Sequence, residues 1–465
     1  MTAPNDPHLL HGHLLASYQS GDLVRAAQLA DALLHANGHD AVAWHLRALI
    51  MHRQGNVSEA VRSIDAALTI DDASAEYHGH RAEILRAAGR LEDAAAAAHT
   101  ATQLNPRHTP AWNNLGLALQ GLDRTTDAET AFRRAIELQP EYARAHQNLA
   151  ALLRKLERLD EAHDAASAAL RIQPNYPEAL NTLGVILHGQ HRHDESERAF
   201  QSALQLRPRF DKALLNLGNL LSETDRIDEA QRAYQAALAI NPRYVEALVG
   251  MAVTCRKRER VGDAINLLQQ ACQLQTDSYE ALLNLAGCLA ERERFEQACD
   301  LFQRVLTLRP DSGEALAGLA HGRAEMCDWT DRDALFEELR ERIAARRAEG
   351  KSCPIGAASV QAFSFSSAEK MAISAQETEQ LLRRLPEARH PPAFARPAEH
   401  GGRIRIGYLS RDFRHHATGH LIRALFGLHD KQQFEVFAYS YGPDDESTYR
   451  RDIAGGDNTF AYPYM

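Results

Sequence analysis

Residues 109–142 have the sequence TPAWNNLGLALQGLDRTTDAETAFRRAIELQPEY. Two small residues in this segment, Gly116 and Ala128, lie twelve positions apart. Gly, Ala or Ser occupies both positions again at every interval of 34 residues, from residue 48 to residue 298. A single register kept over that length predicts repeats without insertions. We expect nine repeats, which begin at residues 7, 41, 75, 109, 143, 177, 211, 245 and 279.

Trp112, Leu115 and Pro140 complete the pattern around these small residues. Their spacing is the signature of the tetratricopeptide repeat, a unit of about 34 residues made of two helices. Trp112 and its equivalent Trp44 are expected to pack rather than to bind a ligand. Since one helix pair cannot bury its own apolar face, the repeats must stack into a solenoid. The sequence therefore predicts a mostly α-helical superhelix over residues 1–326, with nine repeats and a capping helix.

The turn inside each repeat also has a recurring sequence, for example Arg158-Leu-Asp-Glu-Ala162. Asp160 is placed there to cap the second helix, and Glu161 lies in the first turn, where the helix dipole favours negative charge. Pro140 and its equivalents are expected to end the second helices, because proline cannot continue a helix.

Asparagine recurs two positions before the Gly116 place in several repeats. In a superhelix of this kind the first helix of each repeat lines the inner groove. An amide offers a donor and an acceptor together, so a row of amides can hold the backbone of an extended polypeptide. The candidate binding residues are Asn114, Asn148, Asn216 and Asn284, which we call the asparagine row. The alternative is that asparagine is simply tolerated on a solvated helix face.

Composition and charge exclude several classes of protein. The net charge of −10 argues against nonspecific nucleic-acid binding, which needs a basic surface. No run of about 18 apolar residues predicts a membrane-spanning helix, and the first residues contain no apolar stretch typical of a signal peptide. The six cysteines form no C-x-x-C pair, and we expect reduced thiols in a cytoplasmic protein. The sequence predicts no cofactor and no metal site.

The 34-residue register stops at Cys327-Asp-Trp-Thr-Asp331. Residues 327–402 are predicted to form a helical intervening region and a linker. Apolar spacing favours helices at about residues 331–347, capped by Thr330 or Asp331, and at about residues 367–385. The segment after them is rich in Pro, Gly, His and Arg, which is typical of an interdomain linker.

The spacing of the apolar residues changes again from residue 403. Residues 404–409 and 434–440 have the composition of strands, and a helix is predicted between them at about residues 418–428. A strand, a helix and a second strand predict the start of a doubly wound, Rossmann-like α/β domain over residues 403–465. In such domains ligands bind at the loops that follow the carboxyl ends of the strands.

Several segments outside the repeats are similar to segments of one known family. They are Cys327-Asp-Trp-Thr-Asp331, Gly407-Tyr-Leu-Ser410, Asp412-Phe413, His416, His420-Leu421, Phe434-Glu-Val-Phe437 and Asp444-Asp445. These segments resemble the protein O-GlcNAc transferase family. The resemblance implies a GT-B-type catalytic region of two Rossmann-like halves. It implies transfer of N-acetylglucosamine from the donor substrate UDP-GlcNAc to Ser or Thr of proteins, with the acceptor polypeptide held by the asparagine row.

By this resemblance His416 corresponds to the family's active-site histidine, and His420 lies one helical turn further on. A neutral imidazole at residue 416 can accept or relay the proton of the acceptor hydroxyl. The chain ends about 60 residues into the catalytic region, so it is expected to lack most of that region. Whether this chain is an enzyme by itself is therefore left open.

Two other functions stay open on the sequence alone. One is a noncatalytic scaffold that uses the repeats for protein–protein interaction. The other is a chaperone cofactor that grips a C-terminal carboxylate, which requires a Lys/Arg clamp on the groove helices. The expected partners are acceptor proteins or peptides in the groove, and neither nucleic acid nor a membrane is expected.

We expect the 465-residue chain to show no sugar transfer from UDP-GlcNAc, because the groups that stabilise the departing diphosphate are expected beyond it. With the rest of the catalytic region restored in cis, transfer should appear. His416→Ala should then lower turnover by about 10²–10⁴-fold. A labelled-sugar transfer assay measures both. Robust transfer by the 465-residue chain, or a restored enzyme indifferent to His416→Ala, would contradict this expectation.

Overall fold

A computed structural model describes residues 7–349, 365–384, 404–410, 430, 432–440, 448, 451 and 459–461. Contacts divide the chain into two compact units, residues 1–373 and residues 374–465. Each unit is described by itself.

Paired helices fill the first unit from residue 7 onward. The first helices of the repeats are α1 (Pro7–Ser20), α3 (Ala41–Arg53), α5 (Ala75–Ala87), α7 (Thr109–Gly121), α9 (Ala143–Lys155), α11 (Pro177–Gly189), α13 (Asp211–Glu223), α15 (Val245–Lys257) and α17 (Tyr279–Glu291). The second helices are α2 (Leu23–Ala36), α4 (Val57–Ile70), α6 (Leu91–Leu104), α8 (Thr125–Leu138), α10 (Leu159–Ile172), α12 (His193–Leu206), α14 (Ile227–Ile240), α16 (Val261–Leu274) and α18 (Phe295–Leu308). Every first helix begins where the sequence predicts its repeat to begin, and the predicted superhelix is confirmed.

Glycine lets the two helices of a repeat approach closely. A Cβ atom on Gly116 of α7 would lie 2.5 Å from the ring of Phe132 on α8. Gly184 lies equally close to Phe200. Atoms at such separations repel strongly, so even alanine would force the helices or the ring to shift. The small residues of the repeat pattern are therefore a packing requirement.

The turn between the two helices of a repeat contains one residue with a positive φ. This position recurs every 34 residues, as Gly21, Gly55, Gly89, Asp123, Glu157, His191, Asp225, Glu259, Glu293 and Cys327. At Glu157 φ is 59°, in the left-handed region that residues with a Cβ enter only at a cost. The N–H of Arg158 donates to the carbonyl of Leu153 at 3.0 Å, which closes the Schellman motif that ends many helices.

The second helices end as predicted, but they begin differently. α8 ends at Leu138, two residues before Pro140. The predicted aspartate cap is wrong, because the N-cap of α10 is Arg158 and Asp160 already lies in the first turn. The left-handed turn ends at Arg158, which leaves no further residue before the helix. The Arg158 guanidinium donates instead to the carboxylate of Glu161 at 2.6 Å.

Among the residues that the structure describes, three more helices follow the ninth repeat: α19 (Gly313–Glu325), α20 (Arg332–Ala348) and α21 (Ser367–Arg384). Asp331 precedes α20 as its N-cap, but it has φ 54° and makes no side-chain capping hydrogen bond. Helices α19 and α20 share an apolar cluster of Leu316, Ala317, Ala320, Leu339, Ile343, Phe365 and Ile373. This cluster covers the apolar end of the repeat array.

The second unit contains a parallel sheet. Its strands are β1 (Ile404–Ser410), β2 (Phe434–Ser440) and β3 (Thr459–Ala461), in the order β1-β2-β3. Ile404 pairs with Phe434, and Phe437 pairs with Thr459. The first two strands lie where they were predicted, and parallel pairing is what a Rossmann-like start requires. The helix predicted at residues 418–428 lies outside the described residues.

Five cysteines lie in the described part of the chain, and all five are free thiols. Cys255, Cys288 and Cys299 are buried, and burial raises the pKa of the Cys288 thiol to about 11. Within the same part of the chain, no helix combines the length and the apolar character that crossing a bilayer needs.

We expect Glu157→Gly and Glu293→Gly each to raise the free energy of unfolding by about 0.5–1 kcal/mol. Glycine adopts the left-handed conformation without the steric cost of a Cβ, and this gain exceeds its entropic cost. Gly89→Ala should have the opposite effect, since no atom lies within 4 Å of a Cβ there and only backbone strain is added. Thermal unfolding followed by circular dichroism measures the shifts.

Glu341→Gly is the matched control for this prediction. It makes the same change within α20, where glycine should cost about 1 kcal/mol. If Glu157→Gly and Glu293→Gly destabilise the protein as Glu341→Gly does, the turn position is not strained.

Candidate functional site

The first helices form one wall of the repeat array. Each first helix contacts the first helix of the next repeat, whereas the second helices of successive repeats contact each other far less. The side of a curved stack on which neighbours are closest is the inner side. The first helices therefore line the inner groove, as expected from the repeat type.

The asparagine row lies on these inner helices and joins successive repeats. Nδ2 of Asn148 donates to Oδ1 of Asn113 at 2.8 Å. Nδ2 of Asn216 donates to Oδ1 of Asn181 at 2.9 Å, two repeats further along the array. The expectation that the whole amide is open to a ligand is therefore wrong for these two donors, because the contact between repeats uses them.

The other two members of the row differ in their partners. Nδ2 of Asn114 donates to the carbonyl of Gly79 at 3.0 Å, since no side chain is present there to accept. Nδ2 of Asn284 donates to the carbonyl of Glu280 in its own helix at 2.8 Å. All four side chains are half-buried, and among the described residues their Oδ1 atoms accept no hydrogen bond. The row thus keeps an acceptor at each position for a ligand.

The partner residues were missed in the sequence, although a signal for them exists. Asn113 directly precedes Asn114, and the two positions that follow it at 34-residue intervals are Gln147 and Asn181. Nε2 of Gln147 lies 3.4 Å from Oγ1 of Thr182. A second row of amides beside the first indicates bonding between helices, because each amide can supply what its neighbour lacks.

A polar cavity of about 240 Å³ opens beside Asn114 and Asn148. It is also lined by Glu83, Arg86, Asn113, Leu117, Arg144 and Tyr176. The two arginines bring positive charge to the part of the groove that holds the amides. Sequence reasoning found no basic clamp, because these arginines belong to different repeats and do not share one repeat position.

A larger cavity of about 500 Å³ lies where Gly250 interrupts the row. A Cβ on Gly250 would lie 2.6 Å from the ring of Tyr234, and the Tyr234 hydroxyl donates to Oδ1 of Asn219 at 2.8 Å. Tyr234 stands where Phe132 and Phe200 stand in other repeats. Its ring thus occupies space that an asparagine of the row would need.

The tryptophans at the motif position anchor loops. Nε1 of Trp44 donates to the carbonyl of Gly38 at 2.9 Å, and Nε1 of Trp112 donates to that of Pro106 at 2.9 Å. The Nε2 atom of His146 lies 2.9 Å from the carbonyl of Pro140, which is likewise six residues earlier in the chain. These rings hold the connection between repeats, in line with the packing role expected of the tryptophans.

The two candidate catalytic histidines, His416 and His420, lie outside the described residues. Strand β1 ends at Ser410, directly before the segment that contains them. In parallel α/β sheets the loop after a strand's carboxyl end is where ligands bind, so their position in the chain stays consistent with the role that the resemblance implies.

Models of known families match both parts of the chain. Tetratricopeptide-repeat models match residues 13–75, 80–143, 114–177, 176–243, 215–279 and 256–322. The model of glycosyl transferase family 41 matches residues 326–462. That match begins directly after α19 and includes the segment interpreted above as the intervening helices.

Two curated relatives match part of the chain. The UDP-N-acetylglucosamine–peptide N-acetylglucosaminyltransferase of Caenorhabditis elegans is 27% identical over 143 residues, which are 29% of this chain and 12% of the relative. The probable enzyme of that name, SEC, from Arabidopsis thaliana is 32% identical over 139 residues, 28% of this chain and 14% of the relative. The chain is an O-GlcNAc transferase-like tetratricopeptide-repeat protein. It matches only those small fractions of its relatives' lengths.

The fold of this O-GlcNAc transferase-like protein also has a counterpart among solved structures. The crystal structure of the APC/C hetero-tetramer Cut9–Hcn1 matches with a TM-score of 0.52 and 16% identity. The match covers 64% of this chain and 59% of that chain. At this identity the likeness shows the superhelical fold alone.

We expect Gly250→Asn to lower the free energy of unfolding by about 1–3 kcal/mol, because the added side chain meets the Tyr234 ring. Leu268 stands at the Tyr234 position one repeat later, where the row carries Asn284. Tyr234→Leu with Gly250→Asn should therefore cost less than the sum of the two single changes. Thermal unfolding of the four proteins gives this coupling.

Gly262→Asn is the control for the Gly250 prediction. Gly262 is exposed in α16, and the only atom near a Cβ there is the end of the Arg292 side chain at 4.0 Å. This change should leave stability nearly unaltered. If the free-energy effects of Tyr234→Leu and Gly250→Asn are additive, the Tyr234 ring does not exclude an asparagine at residue 250.

Proposed function

We propose that the inner groove binds the acceptor polypeptide of a protein O-GlcNAc transferase, in which N-acetylglucosamine passes from UDP-GlcNAc to Ser or Thr. The observation that carries the proposal is the asparagine row on the inner helices of a repeat array, which is followed in the chain by a segment that matches glycosyl transferase family 41. The curated relatives bear the name of this activity.

The geometry of the row suits a polypeptide backbone. Each Nδ2 group is engaged within the protein, so each amide is held in one orientation. The Oδ1 atoms can then accept from backbone N–H groups, which every residue except proline offers. Binding of this kind is insensitive to most side chains, which suits an enzyme that acts on many acceptor proteins. The cavities beside Asn148 and Gly250 supply contacts for particular side chains.

The chemistry of transfer belongs to the second unit in this proposal. His416 takes the role of the residue that accepts or relays the proton of the attacking hydroxyl, and His420 assists it. The groove contributes by holding the acceptor near the sugar donor, which replaces a bimolecular encounter with a positioned one. A cytoplasmic location is part of the proposal, since a reducing compartment suits free, mostly buried thiols.

A second function is favoured by one observation, the presence of Arg86 and Arg144 beside Asn114 and Asn148. Guanidinium groups bind carboxylates through charge-assisted hydrogen bonds. The small cavity therefore has the groups to hold the C-terminal carboxylate of a peptide, as the chaperone-cofactor alternative requires. Glu83 in the same cavity opposes it through its own negative charge.

The asparagine row is tested by peptide binding, measured by fluorescence anisotropy with an unstructured Ser/Thr-containing peptide. Asn148→Ala with Asn216→Ala should weaken binding by about 30-fold, because two acceptors are lost at about 1 kcal/mol each. Asn148→Asp with Asn216→Asp should bind within a few fold of the wild type, since an acceptor oxygen is kept. The partner amides of Asn113 and Asn181 can turn to donate to these carboxylates.

Asn266→Ala is the control, because Asn266 is exposed on a second helix outside the groove. It should leave peptide binding unchanged. Equal affinity of the wild type and the double alanine variant would exclude the row as a binding surface. Equal losses in the alanine and aspartate pairs would show that the row acts only through contacts between repeats.

The same assay separates the two candidate functions. Amidation of the peptide's C-terminus should leave affinity unchanged if the backbone is bound along the row. A loss of tenfold or more on amidation, abolished by Arg86→Ala with Arg144→Ala, would instead support a carboxylate clamp.

A further inference from the structure

Three metal-ligating side chains converge where α11, α12 and α13 meet. His191 lies in the turn between α11 and α12, His193 is the first residue of α12, and Glu223 is the last residue of α13. One donor atom of each residue lies within 4.8 Å of the donors of the other two. The three residues come from neighbouring repeats, so the cluster exists only because the array stacks them together.

A fourth side chain holds the carboxylate of this cluster in place. Nε2 of His188 donates to Oε2 of Glu223 at 2.7 Å. The ring centroid of His193 lies 5.8 Å from that of His188 and 6.0 Å from that of His191. Outer hydrogen bonds of this kind orient the carboxylate ligands of protein metal sites.

One polar atom of the cluster has no partner within the described residues. Nδ1 of His193 is buried and makes no hydrogen bond. A buried imidazole nitrogen without a partner is unfavourable. The guanidinium of the adjacent Arg192 is already paired with Glu195 at 2.7 Å. The unsatisfied nitrogen and the charged carboxylate together leave coordinating capacity that the protein itself does not use.

We propose that His191, His193 and Glu223 form a binding site for a divalent transition metal such as Zn²⁺. Imidazole and carboxylate are ligands that Zn²⁺ accepts at about 2.0–2.2 Å, and three protein ligands leave one coordination position open. His191 and Glu223 are exposed, so small side-chain rotations bring their donors to that distance. His188 is a positioning residue, since it holds the carboxylate without joining the metal.

The site lies at the edge of the groove. Glu223 also lines the cavity of about 500 Å³ beside Gly250. A metal at the cluster would therefore present its open position near the inner surface, where a carboxylate or imidazole of a bound chain can complete its coordination. This last step rests on the proposed polypeptide-binding function, whereas metal binding itself does not.

A second group of possible ligands, His45, Glu76 and His80, has to be distinguished from this site. Nε2 of His45 lies 2.8 Å from Nδ1 of His80, so these two nitrogens already form a hydrogen bond with each other. His45 is buried, and burial lowers its pKa to about 3. The nearby His80 lowers this pKa further, by a smaller amount. The group is thus satisfied as a buried pair, but any Zn²⁺ bound there must be counted separately.

The test is Zn²⁺ binding to the full 465-residue chain without a histidine tag, by isothermal titration calorimetry, with the d–d absorption of Co²⁺ as a second readout. The double variant His191→Asn with His193→Asn should lose one equivalent of bound metal and the Co²⁺ bands of that site. Glu223→Gln should weaken binding at least tenfold. His188→Asn should weaken it about 10–100-fold while leaving the stoichiometry unchanged.

Two controls keep the outcome interpretable. His321→Asn alters an imidazole beside Glu325 on α19, a pair that belongs to no group of three possible ligands in the described part of the chain, and should leave binding unchanged. Circular dichroism should show the same helix content in all variants, since the altered residues are exposed or half-buried. The proposal is overturned if the wild-type chain binds no Zn²⁺, or if the double variant keeps the wild-type stoichiometry and affinity. Neither result depends on whether the groove binds a polypeptide.

Discussion

The close approach of the two helices in each repeat is the constraint on which the rest of the array depends. Gly116 and Gly184 accept aromatic rings at distances that no Cβ would allow. A tight pair leaves room for only a short turn, and that turn needs one left-handed residue. The second helix of each pair packs against the first helix of the next repeat, and successive first helices then come into contact. The inner wall and its row of amides follow from that spacing.

The sequence predicted the elements of the fold better than the details of its polar contacts. Apolar and small residues recur at fixed intervals, and their packing requirement is local, so helix starts could be read directly. The N-cap at Arg158 was missed because the Schellman turn, rather than capping preference, decides where the helix begins. The pairing of Asn148 with Asn113 was missed because it joins residues 35 positions apart. The arginines beside Asn114 share no repeat position, so no periodicity reveals them.

The inner wall uses the same side chains for two purposes, and this limits how it can vary. Asn148 and Asn216 of the asparagine row stabilise the contact between repeats through Nδ2 and offer Oδ1 to a ligand. Replacing either changes both properties together unless the acceptor oxygen is retained. Where Tyr234 fills the space, the row gives way to Gly250, and a cavity takes the place of an amide. Specific recognition is therefore expected at the interruptions, and general backbone binding at the amides between them.

The left-handed turn position shows how a structural requirement can place a chemically useful side chain. Its backbone conformation is the same in every repeat, but glycine occupies it only in the first three. Asp123 offsets part of the conformational cost by accepting from Lys155 at 2.6 Å. Strain alone does not mark a site, since Glu157 and Glu293 adopt the same conformation. His191 differs because its ring meets His193 and Glu223 from two other helices. The turn holds that imidazole at a fixed point on the edge of the array, which is what a ligand position requires.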